Sequence, residues 1–216
     1  MQRILIINPN ASPACTAGID DAVASFRRVD GTAIDVIGTP SGPPAIYTWE
    51  DWHEAVGPLC AQIRDVPADI YVVACASDPG IEAARAATPR PVLGIFRAGV
   101  GAALTVADRF GVVSIVSASR ARHLLALRAI GVADRLAADV ALDVSMDTLL
   151  DPDAARDGLI RAARETITAG AGAVVLGCTG MAHHRAAVEA EVGVPVIEPC
   201  AAAAAVACAM LSGPGR

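Results

Sequence analysis

Short apolar runs, many of them β-branched, alternate with longer stretches of helical period along almost the whole chain. Arg3 to Ile7, Ala33 to Ile37, Ile70 to Ala74, Val92 to Ile95, Phe110 to Val116, Asp139 to Val144, Val174 to Gly177 and Val194 to Ile197 read as strands. Most are apolar throughout rather than alternating, as expected of parallel strands covered on both faces. Between them the pattern predicts helices at about Thr16–Arg28, Trp49–Asp65, Ile81–Thr88, Phe96–Arg109, Ala118–Ile130, Pro152–Ala169, Ala182–Val192 and Ala201–Leu211. Strand and helix alternate throughout, so parallel sheets with right-handed crossovers follow. The segment Gly38-Thr39-Pro40-Ser41-Gly42-Pro43-Pro44 has too much Gly and Pro for either element and reads as a loop at the edge of a cleft.

The pattern also repeats. Val174-Val175-Leu176-Gly177 stops at Cys178-Thr179-Gly180, and Ile70-Tyr71-Val72-Val73-Ala74 stops at Cys75-Ala76-Ser77. A further strand begins at Pro91, 16 residues after Cys75, and another at Pro195, 17 residues after Cys178. One cysteine per copy, about 100 residues apart, marks an internal duplication. The expected fold is therefore α/β with two pseudo-symmetric lobes, each a mostly parallel sheet flanked by helices. Residues 1–96 form the first lobe, with the C-terminal helix 200–216 packing back on it, and residues 97–199 the second. In open parallel sheets ligands bind beyond the carboxyl ends of the strands, where Asn8, Cys75, Ser117 and Cys178 all fall, so the site belongs in the cleft between lobes.

Composition narrows the class. The chain has 216 residues, 54% hydrophobic and 19% charged, with a net charge of -6. This describes a globular protein, and the lack of basic clusters argues against nucleic acid or an anionic membrane as partner. A small molecule is the expected partner, and a homo-oligomer the expected assembly. No apolar run is long enough for a membrane span or secretory signal, so a cytoplasmic location is expected. The six cysteines show no C-x-x-C pair or zinc-like spacing, and no lysine is present, which excludes a lysine Schiff base. No metal and no cofactor are expected.

Two cysteines at equivalent places of a duplicated fold can face one substrate atom from opposite sides. A cysteine where a strand hands over to a helix is expected to have a lowered pKa, from the helix dipole and unpaired N–H groups. One thiolate then takes a proton from carbon while the opposed thiol returns one to the other face. The backbone N–H groups of Ala76-Ser77 and Thr179-Gly180 are expected to hold the enolate oxygen. Cys15, Cys60, Cys200 and Cys208 lack such pairing, His53 and His123 read as packing, His183 and His184 as solvated, and Gly99-x-Gly101 lacks the context of a dinucleotide fingerprint.

The segments Ile6-Ile7-Asn8-Pro9-Asn10, Ala74 through Arg85, Phe110-Gly111-Val112-Val113 and Val175 through Met181 resemble the hydantoin racemase branch of the aspartate/glutamate/hydantoin racemase superfamily. The resemblance covers nearly the whole chain. It implies cofactor-independent two-base racemisation with Cys75 and Cys178 as bases, Cys75 serving the D and Cys178 the L enantiomer. It also places Asn8 and Ser117 near the ligand. The pattern departs at Ala76, where hydantoin racemases commonly carry a larger, often aromatic residue. Amino-acid racemases of the superfamily typically have Asn-Thr after the first cysteine and a histidine two residues after the second, where this chain has Ala76-Ser77 and Gly180. A 5-substituted hydantoin or related cyclic ureide such as allantoin is the expected substrate. The alternatives are an aspartate- or glutamate-type amino-acid racemase, a malonate-type decarboxylase, against which the presence of both cysteines counts, and a non-catalytic binding protein on the same fold.

Overall fold

The computed structural model describes residues 2–27, 32–151 and 153–212. Arg28, Pro152 and the tail 213–216, which the pattern assigns to helices, lie outside them. Two four-stranded parallel sheets share one topology. The first contains β1 (Gln2–Asn8), β2 (Thr32–Gly38), β3 (Ile70–Val73) and β4 (Val92–Gly94) in the order β2-β1-β3-β4. The second contains β5 (Phe110–Ser114), β6 (Leu136–Ala141), β7 (Ala173–Gly177) and β8 (Val196–Ile197) in the order β6-β5-β7-β8. Every pairing is parallel.

The strand period of two divides the side chains between cores. Ile4 and Ile6 of β1 enter a central core, whereas Leu5 and Ile7 enter an outer one with Leu59, Ile63 and Tyr71. Likewise Val175 of β7 faces the central core, and Val174 and Leu176 face an outer one with Leu159 and Ala163. Burial on both faces is why these strands lack polar alternation.

The helices are α1 (Pro13–Val23), α2 (Trp49–Glu54), α3 (Val56–Asp65), α4 (Ile81–Ala86), α5 (Ile95–Val106), α6 (Ser119–Ala129), α7 (Met146–Leu150), α8 (Arg156–Thr168), α9 (Arg185–Val192) and α10 (Pro199–Leu211). Several differ from the pattern. The stretch 49–65 is broken at Ala55, because Pro58 has no N–H for the Glu54 carbonyl and its ring crowds that carbonyl. The helix placed at 152–169 begins only at Arg156, and α7 precedes it with Ser145 as N-cap. The helix predicted from Ala182 starts at Arg185, after a 3₁₀ turn from Thr179 to His184. Finally, α1 begins at Pro13, where the Ser12 hydroxyl accepts the Cys15 N–H.

The central core joins both halves. α5, which follows β4, packs on β5, β7 and β8, while α10, which follows β8, packs on β1, β3, β4 and α5. The helices approach closely at Gly99, where an added Cβ would lie 3.3 Å from both the Pro199 Cβ and the Val175 Cγ1. That close approach is the structural use of Gly99 alone, since a Cβ at Gly101 would meet nothing within 4 Å.

Candidate active site

Each cysteine is held by local backbone geometry. β3 ends at Val73, and the turn after it brings Cys75 toward the second sheet, with the Ser77 N–H hydrogen-bonded to its sulfur and the Ser77 hydroxyl 3.8 Å away. The indole N–H of Trp52 donates to the Ser77 carbonyl at 3.4 Å, so α2 pins this turn. β7 ends at Gly177, and Cys178 follows in extended conformation with the Gly180 N–H on its sulfur. The two turns present their thiols in the same way.

Both thiols line one cavity of about 40 Å³, together with Ala74, Ala76, Ser77, Gly177 and Thr179 at the strand ends. Ile46 and Tyr47 of a loop and Met146 at the start of α7 border it, and Asn10, Ile115, Ser119, Arg122 and His123 complete the wall. Small-molecule pockets commonly measure ~300–1,000 Å³, so the cavity is narrow by comparison. One hydrogen bond at its wall crosses between lobes: the Met146 N–H donates to the Tyr47 hydroxyl at 2.9 Å.

The electrostatics differ from the sequence expectation of lowered thiol pKa values. Burial pushes the Cys75 thiol up, opposed by the Ser77 N–H and hydroxyl and by the positive charge of Arg122. Burial pushes Cys178 up to about 12, the Gly180 N–H opposing and Cys75 adding to the rise. Desolvation outweighs the helix dipole here because neither sulfur sits at the start of an α-helix. α4 begins only at Ile81, and a 3₁₀ turn follows Cys178.

Behind the cavity, the His123 Nδ1 lies 2.8 Å from the Asp139 carboxylate, which also accepts from the Ser114 hydroxyl, and the imidazole stacks on Phe96 at 4.6 Å. The packing role read for His123 is thus joined to a buried hydrogen-bonding partner. Arg122 is buried at the wall, its guanidinium over the Trp49 ring at 5.8 Å and its Nη2 donating to the Ser119 hydroxyl. Among the described residues no group of three or more His, Cys, Asp or Glu side chains is arranged to hold a metal ion. No helix among them is long and apolar enough to cross a membrane.

The Asp/Glu/Hydantoin racemase family profile matches residues 4–207. The chain belongs to this family. It is 38% identical over 212 residues to the hydantoin racemase of Paenarthrobacter aurescens, covering 95% of this chain and 89% of that one. The allantoin racemase from Klebsiella pneumoniae superposes with a TM-score of 0.91 at 33% identity, covering 98% of this chain and 88% of that one. Arylmalonate decarboxylase shares the fold at a TM-score of 0.67 and 17% identity, covering 99% of this chain and 94% of that one. The protein is a racemase, an isomerase.

In this racemase Cys75, Ala76, Ser77, Cys178 and Thr179 share the cavity, whereas Asn8, Ser117 and Gly180 do not line it. Asn8 is fully buried, and its amide is occupied by Asn10, the Ser12 carbonyl and the Thr16 hydroxyl, so it shapes the β1–α1 turn. Asn10 reaches the cavity instead. Ser117 is directed away, its N–H and hydroxyl both bound by the Asp143 carboxylate. Gly180 lines a neighbouring cavity with Cys15, His183 and Glu198, and an added Cβ would meet the Met146 sulfur at 2.9 Å. Of the Ala76, Ser77, Thr179 and Gly180 N–H groups expected to hold an enolate oxygen, those of Ser77 and Gly180 also act on the thiols. His184, expected to be solvated, is buried and hydrogen-bonds the Leu149 carbonyl at 3.1 Å through Nε2.

Proposed function

We propose that this racemase inverts the C5 carbon of a 5-substituted hydantoin or related cyclic ureide by a two-base reaction between Cys75 and Cys178. The observation that carries the reading is the single cavity into which the two sheets each deliver one thiol. A thiolate takes the C5 proton, so that the C–H bond breaks, S–H forms, and the electron pair passes into the C5–C4 bond and onto the ring carbonyl oxygen as an enolate. The opposite thiol then protonates C5 on its other face and is left as thiolate. Each turnover exchanges the states of the two sulfurs, and no group beyond them is consumed.

Two further observations favour a ring substrate. The similar proteins in Paenarthrobacter aurescens and Klebsiella pneumoniae are a hydantoin and an allantoin racemase. The cavity wall is also mainly apolar or neutral, with Ala74, Ala76, Ile46, Ile115, Asn10 and Thr179 suited to amide edges rather than to the ammonium of a free amino acid. Cys75 serves the D enantiomer and Cys178 the L in this reading.

Optical rotation of enantiopure L-5-alkylhydantoin should decay to zero with wild type and remain constant with Cys75→Ser or Cys178→Ser. In deuterated solvent Cys178→Ser should still exchange the C5 proton of the D enantiomer, and Cys75→Ser that of the L enantiomer. Wild-type racemisation by both variants would overturn the base assignment. Efficient turnover of aspartate or glutamate, with none of hydantoins or allantoin, would overturn the substrate.

A further inference from the structure

Arg122 is only 2% exposed, yet its Nε and Nη1 have no hydrogen-bond partner. Among the described residues no carboxylate lies within ion-pair distance of it; the one hydrogen bond recorded for its guanidinium runs from Nη2 to the neutral Ser119 hydroxyl at 3.2 Å. Asp51 on α2 acts on it from farther off and is itself bound by the N–H groups of Tyr47 and Thr48. Arg97, the other arginine with a buried unpartnered nitrogen, contrasts with it: its remaining nitrogens pair with Asp78 and Glu82. A buried cation without a counter-ion is strongly unfavourable. Arg122 shares the cavity with both catalytic thiols, so its missing partner belongs to the working state of that cavity.

The reaction proposed above carries one negative charge throughout. It resides on one sulfur, passes to the carbonyl oxygen of the substrate, and ends on the other sulfur. The Ser77 and Gly180 N–H groups act on the sulfurs, and a charged donor in the cavity wall matches the charge that develops on the enolate oxygen. We propose that Arg122 is a catalytic residue of this racemase: its guanidinium is the counter-ion of the cysteine thiolate at rest and donates to the substrate carbonyl oxygen as that oxygen becomes the enolate. The proposal rests on the racemase reading of the cavity and adds to it the group that holds the intermediate. Either of the two unpartnered guanidinium nitrogens of Arg122 can donate to a ring carbonyl oxygen, and the centre of the Trp49 ring lies 5.8 Å from the guanidinium carbon.

The charged and titratable groups around the pair are few. Asp51 faces Arg122 from α2, Asp78 lies in the same turn as Cys75 and is bound by Arg97 of α5, Tyr47 and Cys178 line the same cavity, Cys15 of α1 acts on Cys178, and Cys200 of α10 is coupled to both thiols. His123 on α6 is held by Asp139. Arg122 is the cation among them without an anionic partner.

The test compares wild type with Arg122→Gln and Arg122→Lys. Removing one preorganised donor to a developing oxyanion typically lowers kcat about 10²–10³-fold, and that loss is expected for Arg122→Gln in both directions, with KM changed less than about threefold. Alkylation of Cys75 by iodoacetamide, followed by peptide mass mapping across pH, should move to higher pH in Arg122→Gln and stay near the wild-type profile in Arg122→Lys. Wild-type kcat in Arg122→Gln, or an effect confined to KM, overturns the proposal, as does an unchanged alkylation profile. Should the glutamine variant not fold, the lysine variant decides: charge is kept but the planar fork is lost, so kcat should fall at least about tenfold with KM retained, and wild-type kcat refutes the contact. If wild type turns over no ureide, the substrate reading falls, and the alkylation comparison still decides the role of Arg122.

Discussion

Gly177 shows how narrowly the position of Cys178 is set. A Cβ there would lie 2.6 Å from the Val113 carbonyl oxygen, a backbone atom of the neighbouring strand, so any side chain must push β7 away from β5. Gly177→Ala should lose about 1–3 kcal/mol of stability, read from urea denaturation, and racemisation should fall with it because the thiol moves; wild-type stability and rate would show that the strands separate freely. The two cysteines were legible in the sequence because a strand end followed by a turn is a local pattern, repeated. Arg122 and Tyr47 were not, since they reach the cavity from a helix and a loop that only tertiary packing brings there. Asn8 and Ser117 were placed at the correct strand ends, but short polar side chains in turns bond their own backbone neighbourhood, and only side-chain direction shows that both point elsewhere.

Among the elements, the start of α5 depends on one buried carboxylate. Asp78, in the turn after Cys75 at a φ of 48°, accepts the N–H groups of Phe96 and Arg97 and pairs with the Arg97 guanidinium at 3.3 Å. Gly94 leaves the room it needs, for a Cβ there would lie 2.3 Å from the carboxyl carbon. Glu198 caps α10 in the corresponding place, accepting from Cys200 and Ala201. Burial lifts the Asp78 pKa from 3.8 to about 6 despite those bonds. Between these values the folded state binds the proton and the unfolded state does not, so this residue's contribution is full below about pH 4 and is lost as pH rises through about 6. Denaturant titrations across pH 4–7 should therefore show a falling stability component in wild type that is absent from Asp78→Asn; equal slopes would refute it. The strand–helix order was readable from hydrophobic period alone. The break at Ala55 and the 3₁₀ turn after Cys178 were not, because both arise where local chemistry interrupts a periodic apolar stretch.

For the whole molecule, the crossed helices matter most. Each half supplies the helix that covers the other's sheet, and one central core runs from Ile4 through Phe96 and Phe110 to Leu211. A fragment ending at residue 94 would expose the inner face of its sheet, and it should show no cooperative unfolding by circular dichroism, whereas the full chain should unfold in one transition. A folded fragment, or two separate transitions, would show that the lobes are independent. The sequence revealed the duplication and led to the expectation that the C-terminal helix packs back on the first lobe; the close packing of α5 against α10 was not legible, since both are apolar on several sides.

The duplication is exact in topology and unequal in chemistry: the charge of Arg122 acts on the Cys75 thiol, while Cys178 is more deeply buried and no cation among the described residues acts on its thiol in the same way. Mirror-image substrates have identical free energies, so the equilibrium constant of a racemisation at a single centre is one. The ratio kcat/KM must then be the same in both directions, whatever the thiols' surroundings. An asymmetric pair of bases can express itself only as compensating differences, the enantiomer with the higher kcat also having the higher KM in equal proportion. In the proposed two-base reaction the lopsided cavity sets how saturated the enzyme is by each antipode, and leaves the final composition of the mixture untouched.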